Sequence, residues 1–374
     1  MSLNENTIDR GYFSDIAKHV ALNYQISEFY ENYYDDTGYD AFLNKSQAVE
    51  LCGKWWDMDY YKMQNVKDIK RVNLCKDKFC FNCQSMLASK RYLKYTPILD
   101  SFRNTYKVCH MIVTVPNCKG QELRSLLDKM YRKFSFFMRY FRGKAKVKGV
   151  DFLQYGYGGL VRGLEITRNE RDKSYHPHFH CMVLFRSDIN LTKERINSYS
   201  FDHGKLVRKF SELEILLQKV WFLLINDKKI TASALAELQE GYSVVVDDSD
   251  GHYYECFKYS CKGAFDRDKG AFIYNERVFR LLYEALKNRR MIQGYGALHN
   301  FTDLDGELLE VDALAEYEQR VAQLRLIETP DFSVSSLDEI LNDNKNCTYI
   351  SKSNFKRLVA ERQRLEQLEN GIIE

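Results

Sequence analysis

Three of the eight histidines in this 374-residue chain lie at alternate positions of one short segment, YHPHFHCMVLF at 175–185. Aromatic and apolar residues in this arrangement predict a strand, on which alternate side chains share a face. His176, His178 and His180 therefore point the same way. Imidazoles at this spacing converge readily on a metal ion. The alternative is a histidine ladder at the surface or a satisfied core trio, and three histidines in line favour the metal.

A carboxylate on the preceding predicted strand, LVRGLEITR, is a candidate third ligand. If the connection NERDKS forms a hairpin that pairs Arg168 with Tyr175, Glu165 lies opposite His178, with Cβ atoms ~4.5–5.5 Å apart. A register slip of one residue would turn Glu165 to the wrong face. The alternative pairs Glu165 with a local base such as Arg162. Two imidazoles and one carboxylate leave open coordination positions, which suits Mg²⁺ or Mn²⁺ bridging to a phosphate.

Cysteines form a second candidate metal site. Cys75, Cys80 and Cys83 are spaced C-x4-C-x2-C, which is compatible with a structural zinc site that needs a fourth ligand. Buried free thiols are the alternative, because a reducing compartment keeps cysteines unpaired. Spacing alone leaves the fourth ligand open among Cys52, Cys109, His110 and Cys118.

A tyrosine and a glutamate share one face of a predicted helix at 252–262, HYYECFKYSCK. Glu255 and Tyr259 are four residues apart, Lys262 joins them, and Lys258 lies near. A close lysine or a metal-bound phosphate favours the phenolate over a phenol of pKa ~10 and so creates a nucleophile. A tyrosine on an amphipathic helix is more often a core residue than a nucleophile, and this chain has 26 tyrosines. The prediction of a nucleophile therefore depends on the histidine strand.

Charge is segregated although the net charge is only +3. Residues 62–94 carry nine bases and two acids, and residues 129–148 carry eight bases and no acid, whereas residues 1–50 and 302–318 are acidic. The two basic blocks are candidate phosphate-contacting surfaces, and the alternative is a solvated helix face. In the second block we expect bases to contact DNA while aromatic residues pack inside. The candidate DNA contacts are Lys76, Lys78, Lys90, Arg91, Arg132, Lys133, Arg139 and Arg142.

The predicted elements indicate an α+β fold with a mostly antiparallel sheet over roughly 100–290. The predicted strands cover 106–116, 160–168, 175–185 and 241–246. The predicted helices cover 14–29, 121–142, 191–199, 210–226, 252–262, 275–290 and the tail beyond 309. The expected regions are an acidic extension (1–50), a cysteine-rich region (51–100), a main domain (101–295) and a helical charged region (296–374). With no apolar run that spans a bilayer and no secretory signal, the expected location is the cytoplasm.

Three segments together carry a family resemblance, namely GLEITRN at 163–169, the histidine strand, and ECFKYSCK at 255–262. They resemble the motifs of plasmid rolling-circle replication initiators in the HUH endonuclease superfamily, of the type with one tyrosine and one glutamate. His178, Phe179 and His180 match the His–hydrophobe–His signature. Upstream, Cys52-Gly53 with two tryptophans, followed by CKDKFCFNC, is similar to the cysteine region of this family. The resemblance covers roughly residues 50–290.

The resemblance implies a HUH nicking domain and a covalent mechanism. Tyr259 would attack a phosphodiester at the double-strand origin and keep the 5′-phosphate, while Glu255 would be the general base that ends the cycle. His178, His180 and Glu165 would hold the catalytic Mg²⁺ or Mn²⁺, with His176 as an additional ligand or a supporting group. Cys52 would complete the zinc site. Origin DNA, a host helicase and a DNA polymerase are the implied partners.

Two other hypotheses stay open at this point. One is a DNA-binding initiator without catalysis, in which the metal is structural. The other is a different HUH enzyme, either a conjugative relaxase or a transposase. The cysteine region and the single Glu/Tyr helix favour the plasmid initiator.

Overall fold

A computed structural model of the chain describes residues 10–169, 171–195, 201–202, 206–207, 209–238, 241–257, 264–266, 271–299, 307–343 and 347–352. The helices are α1 (Arg10–Thr37), α2 (Asp40–Leu51), α3 (Phe81–Phe102), α4 (Gly120–Phe141), α5 (Glu212–Ile225), α6 (Ala232–Glu237), α7 (Tyr254–Phe257), α8 (Glu276–Leu286), α9 (Glu307–Ile327) and α10 (Leu337–Leu341). The strands are β1 (Trp55–Tyr61), β2 (Val66–Val72), β3 (Tyr106–Thr114), β4 (Gly159–Arg168), β5 (Tyr175–Arg186), β6 (Phe201–Asp202), β7 (Leu206–Val207), β8 (Val244–Asp248), β9 (Ala264–Asp266), β10 (Ala271–Ile273), β11 (Ile292–Gly296), β12 (Asp331–Ser336) and β13 (Thr348–Ser351).

The chain divides into two compact units, Met1–Pro97 with Asp305–Glu374, and Ile98–Leu304. The first unit contains a four-stranded sheet of order β12-β1-β2-β13, so the two ends of the chain contribute to one sheet. One side of this sheet packs against α1 and α10 through a cluster that includes Phe13, Trp56 and Ile340. A second cluster joins Tyr61 and neighbouring strand residues to α9.

The second unit is built on a five-stranded sheet of order β11-β4-β5-β3-β8. Every neighbouring pair in it is antiparallel. The predicted α+β class with an antiparallel sheet is therefore confirmed. β5 lies in the centre and is buried along almost its whole length. It has a neighbouring strand on each side, and other residues cover both of its faces. Its residues alternate strictly, so Phe179 points to one face while His178 and His180 point to the other.

The face that carries Phe179 is closed by the amphipathic helix α4 and by α5. Phe134 of α4 is fully buried, and its ring lies 5.1 Å from that of Phe179 and 6.3 Å from that of Trp221. The indole N–H of Trp221 donates to the carbonyl oxygen of Thr114 in β3, 2.7 Å away. This apolar layer holds the strands in place and leaves the histidine face for chemistry.

Several elements differ from their sequence-based predictions. Residues 191–195 form no helix, although 191–199 was predicted to be helical, and residues 196–200 lie outside the described part. The strand predicted at 241–246 begins three residues later, at Val244. The C-terminal tail is helical only in part, because Asp331–Ser336 and Thr348–Ser351 pair with the sheet of the first unit. Of the helix predicted at 252–262, the described part is Tyr254–Phe257.

Among the described residues, no helix combines the length and the apolar composition that a bilayer span requires.

We expect Phe134→Ala to lower the free energy of unfolding by about 3–5 kcal/mol, because it opens a cavity in the layer beneath the sheet. Phe136 on the same helix is 42% exposed, so Phe136→Ala is the matched control and should cost less than about 1 kcal/mol. Urea denaturation followed by tryptophan fluorescence measures both changes. Equal losses in the two variants would contradict the proposed packing.

Candidate metal centre

The β4–β5 register brings the candidate ligands together. Glu165 pairs directly with His178 and Gly163 pairs with His180, which confirms the register predicted from the hairpin. Because the position opposite His180 is a glycine, no side chain there separates Glu165 from His180. All three ligand side chains are buried.

The ligand atoms converge on the carboxylate. The Nε2 atoms of His178 and His180 each lie 2.7 Å from Oε2 of Glu165. One ligand atom from each residue lies within 4.8 Å of the others, so a single ion could contact all three. This set of two imidazoles and one carboxylate is open, since a divalent ion of octahedral preference would keep further positions for water or phosphate oxygens.

The contacts made by Nδ1 of both imidazoles favour the tautomer in which Nδ1 carries the proton and Nε2 can ligate a metal ion. Nδ1 of His178 lies 3.1 Å from the carbonyl oxygen of His176, so this nitrogen must carry a proton and donate it. Nε2 then turns its lone pair to the Glu165 carboxylate, which is unfavourable without a second proton or a cation between them. Nδ1 of His180 similarly faces Nε2 of His110 at 3.0 Å. The chemistry of the donors therefore fits a bound cation.

His176 does not join the ligand group within the described residues. It is half-buried, its ring centroid lies 5.1 Å from that of His178, and burial lowers the pKa of its imidazole. Its backbone carbonyl holds His178 in position instead. Of the two roles considered for His176, this geometry favours the supporting one.

Arg162 is not the partner of Glu165, and that alternative is wrong. It pairs with Cys181 in the β4–β5 register and so points to the opposite face of the sheet. Its guanidinium carbon lies 4.1 Å from the ring centroid of Tyr131 and 4.5 Å from that of Phe179. Its Nη2 donates to the side-chain oxygen of Gln293 at 3.1 Å. Cation–π contacts of this kind contribute about 0.5–2 kcal/mol each and stabilise the charge inside the α4 layer.

Helix α7 lies on the metal face, directly beside the ligands. The Cys256 thiol donates to the carbonyl oxygen of His180 at 3.3 Å. A Cβ atom at position 163 would overlap the carbonyl oxygen of Cys256, so the close approach of α7 to β4 requires glycine there. Tyr253, the residue before α7, fixes the start of the helix, because its hydroxyl donates a hydrogen bond to the Asp100 carboxylate at 2.6 Å.

Glu255 belongs to this helix, and Tyr259 follows Cys256 by three residues in the sequence. Lys258, Tyr259 and Lys262 lie outside the described residues.

The four cysteines form a second group of candidate ligands. Cys52, Cys75, Cys80 and Cys83 come together, with Sγ–Sγ distances of 3.6 Å for 52–83, 3.7 Å for 75–83 and 3.4 Å for 52–80. Four sulphurs bound tetrahedrally at ~2.3 Å would lie about 3.8 Å apart. The cluster therefore fits a closed tetrahedral site. Cys109, His110 and Cys118 belong to the other unit and are not members of this group.

Nitrogen donors surround the sulphurs as they do in thiolate sites. Backbone N–H groups of Cys75 and Lys76 donate to Cys52 and Cys83 at 3.4 and 3.2 Å, and the Asn23 amide donates to Cys80 at 3.2 Å. Lys76 adopts a positive φ of 59°, which turns its N–H toward the cluster. Hydrogen bonds from neighbouring thiols, that of Cys52 first, hold the pKa of Cys83 below its usual range.

Part of the chain is similar to a known protein family. Residues 66–196 match the family model described as "Replication protein". The resemblance to replication initiators is confirmed. The matched segment contains Glu165, His178 and His180 together with three of the four clustered cysteines, and it ends before α7.

Three curated relatives are each named "Protein rep". The one from Bacillus sp is 25% identical over 169 residues, which are 44% of this chain and 50% of the relative. Those from Streptococcus pneumoniae and Staphylococcus aureus are both 28% identical, over 38% and 37% of this chain and 42% and 58% of the relatives. The chain thus spans about half the length of these curated relatives. No solved structure gives a significant match.

The candidate DNA-contacting residues lie in two places. Around the cysteines, Lys76, Lys78 and Lys90 are exposed and Arg91 is half-buried. On α4 and just after it, Arg132, Arg139 and Arg142 are exposed, whereas Lys133 forms an ion pair with Asp227. Since α4 covers the sheet face opposite the histidines, its bases lie on the other side of the sheet from Glu165, His178 and His180.

The sequence did not indicate that His110 and Gly163 lie at the candidate metal centre. His110 was weighed only as a zinc ligand, although its alternation with Ile112 and Thr114 on β3 places it on the metal face. Gly163 was quoted in a motif without a role. Glycine inside a strand is a signal of close backbone approach, and here the approaching backbone is that of Cys256.

We expect Cys83→Ser to abolish metal retention by the cysteine cluster, because it removes one of the four sulphurs that a closed tetrahedral site needs. The measurement is the metal content of the dialysed full chain by mass spectrometry. Cys118→Ser, a buried thiol outside the cluster, is the matched control and should keep the metal. Retention of metal by the Cys83 variant would show that the cluster does not ligate it.

Proposed function

We propose that this chain is a replication initiator that nicks one strand of plasmid origin DNA through a covalent tyrosine intermediate. The nucleophile is Tyr259, and a divalent ion is held by Glu165, His178 and His180. The observation that carries the proposal is the convergence of these ligand atoms on the sheet face where α7 begins the segment leading to Tyr259. The match to replication proteins supports the same assignment.

The nicking step exchanges one ester for another. The phenolate oxygen of Tyr259 forms a bond to phosphorus, and the bond from phosphorus to the 3′ oxygen breaks. The 5′-phosphate stays on the tyrosine, while the 3′ oxygen takes a proton and becomes the hydroxyl that primes a host polymerase. Lys258 and Lys262 favour the phenolate by their charge. Bound Mg²⁺ or Mn²⁺ would polarise the phosphate and offset the charge that develops.

Glu255 acts at termination. It precedes Tyr259 by one helical turn in the sequence, where a carboxylate can accept a proton from a water molecule. The water oxygen bonds to the phosphorus of the displaced strand, the 3′ oxygen leaves with a proton, and no second phosphotyrosine forms. The 3′ hydroxyl formed in this way attacks the phosphorus bound to Tyr259, the bond from phosphorus to the tyrosine oxygen breaks, and the displaced strand is joined into a circle. One tyrosine with one base therefore completes a cycle without restarting it.

The cysteine cluster is assigned to a structural Zn²⁺ ion held by Cys52, Cys75, Cys80 and Cys83. The sulphur separations and the surrounding N–H donors support a closed site, which stabilises the fold and leaves no position for substrate. The exposed lysines beside it contact DNA phosphates. The α4 bases contact duplex DNA on the other face of the nicking sheet, where they set position and not chemistry. A host helicase then separates the strands.

Replacement of the nucleophile gives the direct test. The full chain is incubated with Mn²⁺ and labelled single-stranded oligonucleotides tiled across the DNA element that encodes it. We expect a covalent adduct that survives boiling in detergent. Tyr259→Phe abolishes it, since the attacking oxygen is gone, and Tyr242→Phe, the matched control, preserves it. Glu255→Ala leaves nicking intact and impairs release of the displaced strand.

The other outcomes identify the competing hypotheses. An adduct that persists in Tyr259→Phe would assign the nucleophile to another tyrosine. A chain that binds the oligonucleotides and Mn²⁺ but never forms an adduct would be a DNA-binding initiator without catalysis. Equal loss of nicking and release in Glu255→Ala would contradict the termination role.

Replacement of Gly163 tests, separately from metal binding, whether nicking depends on the position of α7 against β4. In Gly163→Ala the added methyl group overlaps the Cys256 carbonyl, so α7 must move away from the strand. We expect adduct formation to slow about 10- to 100-fold at saturating Mn²⁺, a condition under which a weaker metal site does not account for the loss. Gly120→Ala is the control, because its methyl group meets chiefly the flexible end of Leu281, 2.7 Å away. Unchanged adduct formation in Gly163→Ala would contradict this dependence.

A further inference from the structure

His110 is a histidine on the metal face that has no role in the proposed chemistry. It lies on β3 opposite Met182 of β5, diagonally next to His180. The rings of His110 and His180 are almost parallel, with 12° between their planes and 5.2 Å between their centroids. Nε2 of His110 is 3.0 Å from Nδ1 of His180. The two imidazoles are therefore joined edge to edge by a hydrogen bond.

The direction of this hydrogen bond follows from the other side of the His180 ring. Nε2 of His180 faces the Glu165 carboxylate and is the atom available to a metal ion. An imidazole that ligates through Nε2 carries its proton on Nδ1. Nδ1–H of His180 then donates to Nε2 of His110, and the His110 proton lies on its own Nδ1. The contact fixes both the tautomer and the rotation of the ligand ring.

The two ligand histidines obtain this support from different sources. His178 donates to a backbone carbonyl, that of His176, which no side-chain replacement removes. His180 donates to a side chain from a different strand, which is remote in sequence. The coupling of β3 to the metal centre can therefore be altered at one residue without touching a ligand.

We propose that His110 is a positioning residue for the divalent metal ion, acting by accepting the Nδ1 proton of His180. The inference rests on the proposed function, because it assumes that Glu165, His178 and His180 bind the ion. Partners of this kind orient a ligand and raise its basicity, and their loss typically costs 10- to 100-fold in metal affinity. Glutamine at position 110 retains an acceptor oxygen, whereas phenylalanine and leucine do not.

The experiment measures Mn²⁺ affinity from the EPR signal of free Mn²⁺, using the full chain freed of Mn²⁺ and Mg²⁺ but with Zn²⁺ kept in its cysteine cluster. Circular dichroism is the folding check. We expect His110→Phe to weaken Mn²⁺ binding about 10- to 100-fold and His110→Gln to stay within about threefold of the original chain. His110→Leu repeats the test if the phenylalanine does not fold. His299→Phe, an exposed histidine of the same unit, is the matched control. Glu165→Ala marks full loss of the site.

The outcomes separate this inference from the proposed function. Unchanged affinity in folded His110→Phe or His110→Leu, with loss in Glu165→Ala, would overturn the role of His110 alone. Equal weakening in the glutamine and apolar variants would assign His110 to packing and would also overturn it. If the original chain binds no Mn²⁺ and Glu165→Ala makes no difference, the proposed metal centre fails, and this inference fails with it.

Discussion

The approach of the Glu165 carboxylate to two imidazole nitrogens is the interaction on which the rest depends. It exists because β4 and β5 pair in a register that sets Glu165 against His178 and a glycine against His180. A slip of one residue would place the carboxylate among the α4 aromatics and leave the imidazoles without it. Burying three such groups in contact is unfavourable unless a cation or an added proton compensates them, so the geometry that organises the strands is compatible with a bound metal ion.

The two faces of the five-stranded sheet carry different kinds of residues. One face is apolar, and there Phe134, Phe179 and Trp221 fix the strands while the aromatic rings hold the buried charge of Arg162. The other face carries the ligands, the supporting imidazole of His110 and the start of α7. Packing behind the sheet holds the candidate ligand atoms close to one another. The bases of α4 lie on the side of the apolar layer, away from the candidate ligands.

Local patterns in the sequence predicted the local parts of this arrangement. Strict alternation placed the three histidines on one face, and a six-residue connection was enough to pair Glu165 with His178. Contacts between remote segments could not be read in the same way. Nothing near His110 indicates that β3 pairs with β5 and brings it to His180, and nothing in the tail indicates that residues 331–336 and 348–351 flank β1 and β2. The Arg162 alternative fails for the same reason, since a neighbour in sequence need not be a neighbour in space.

The central claim is that one divalent ion is ligated by the imidazoles of His178 and His180 together with Glu165. Pulsed EPR on Mn²⁺ bound to the full chain, prepared with ¹⁵N-labelled histidine, tests it most directly. The predicted spectrum contains couplings to two imidazole nitrogens, one of which disappears in His178→Ala. A bound Mn²⁺ ion without any histidine nitrogen coupling would contradict the account.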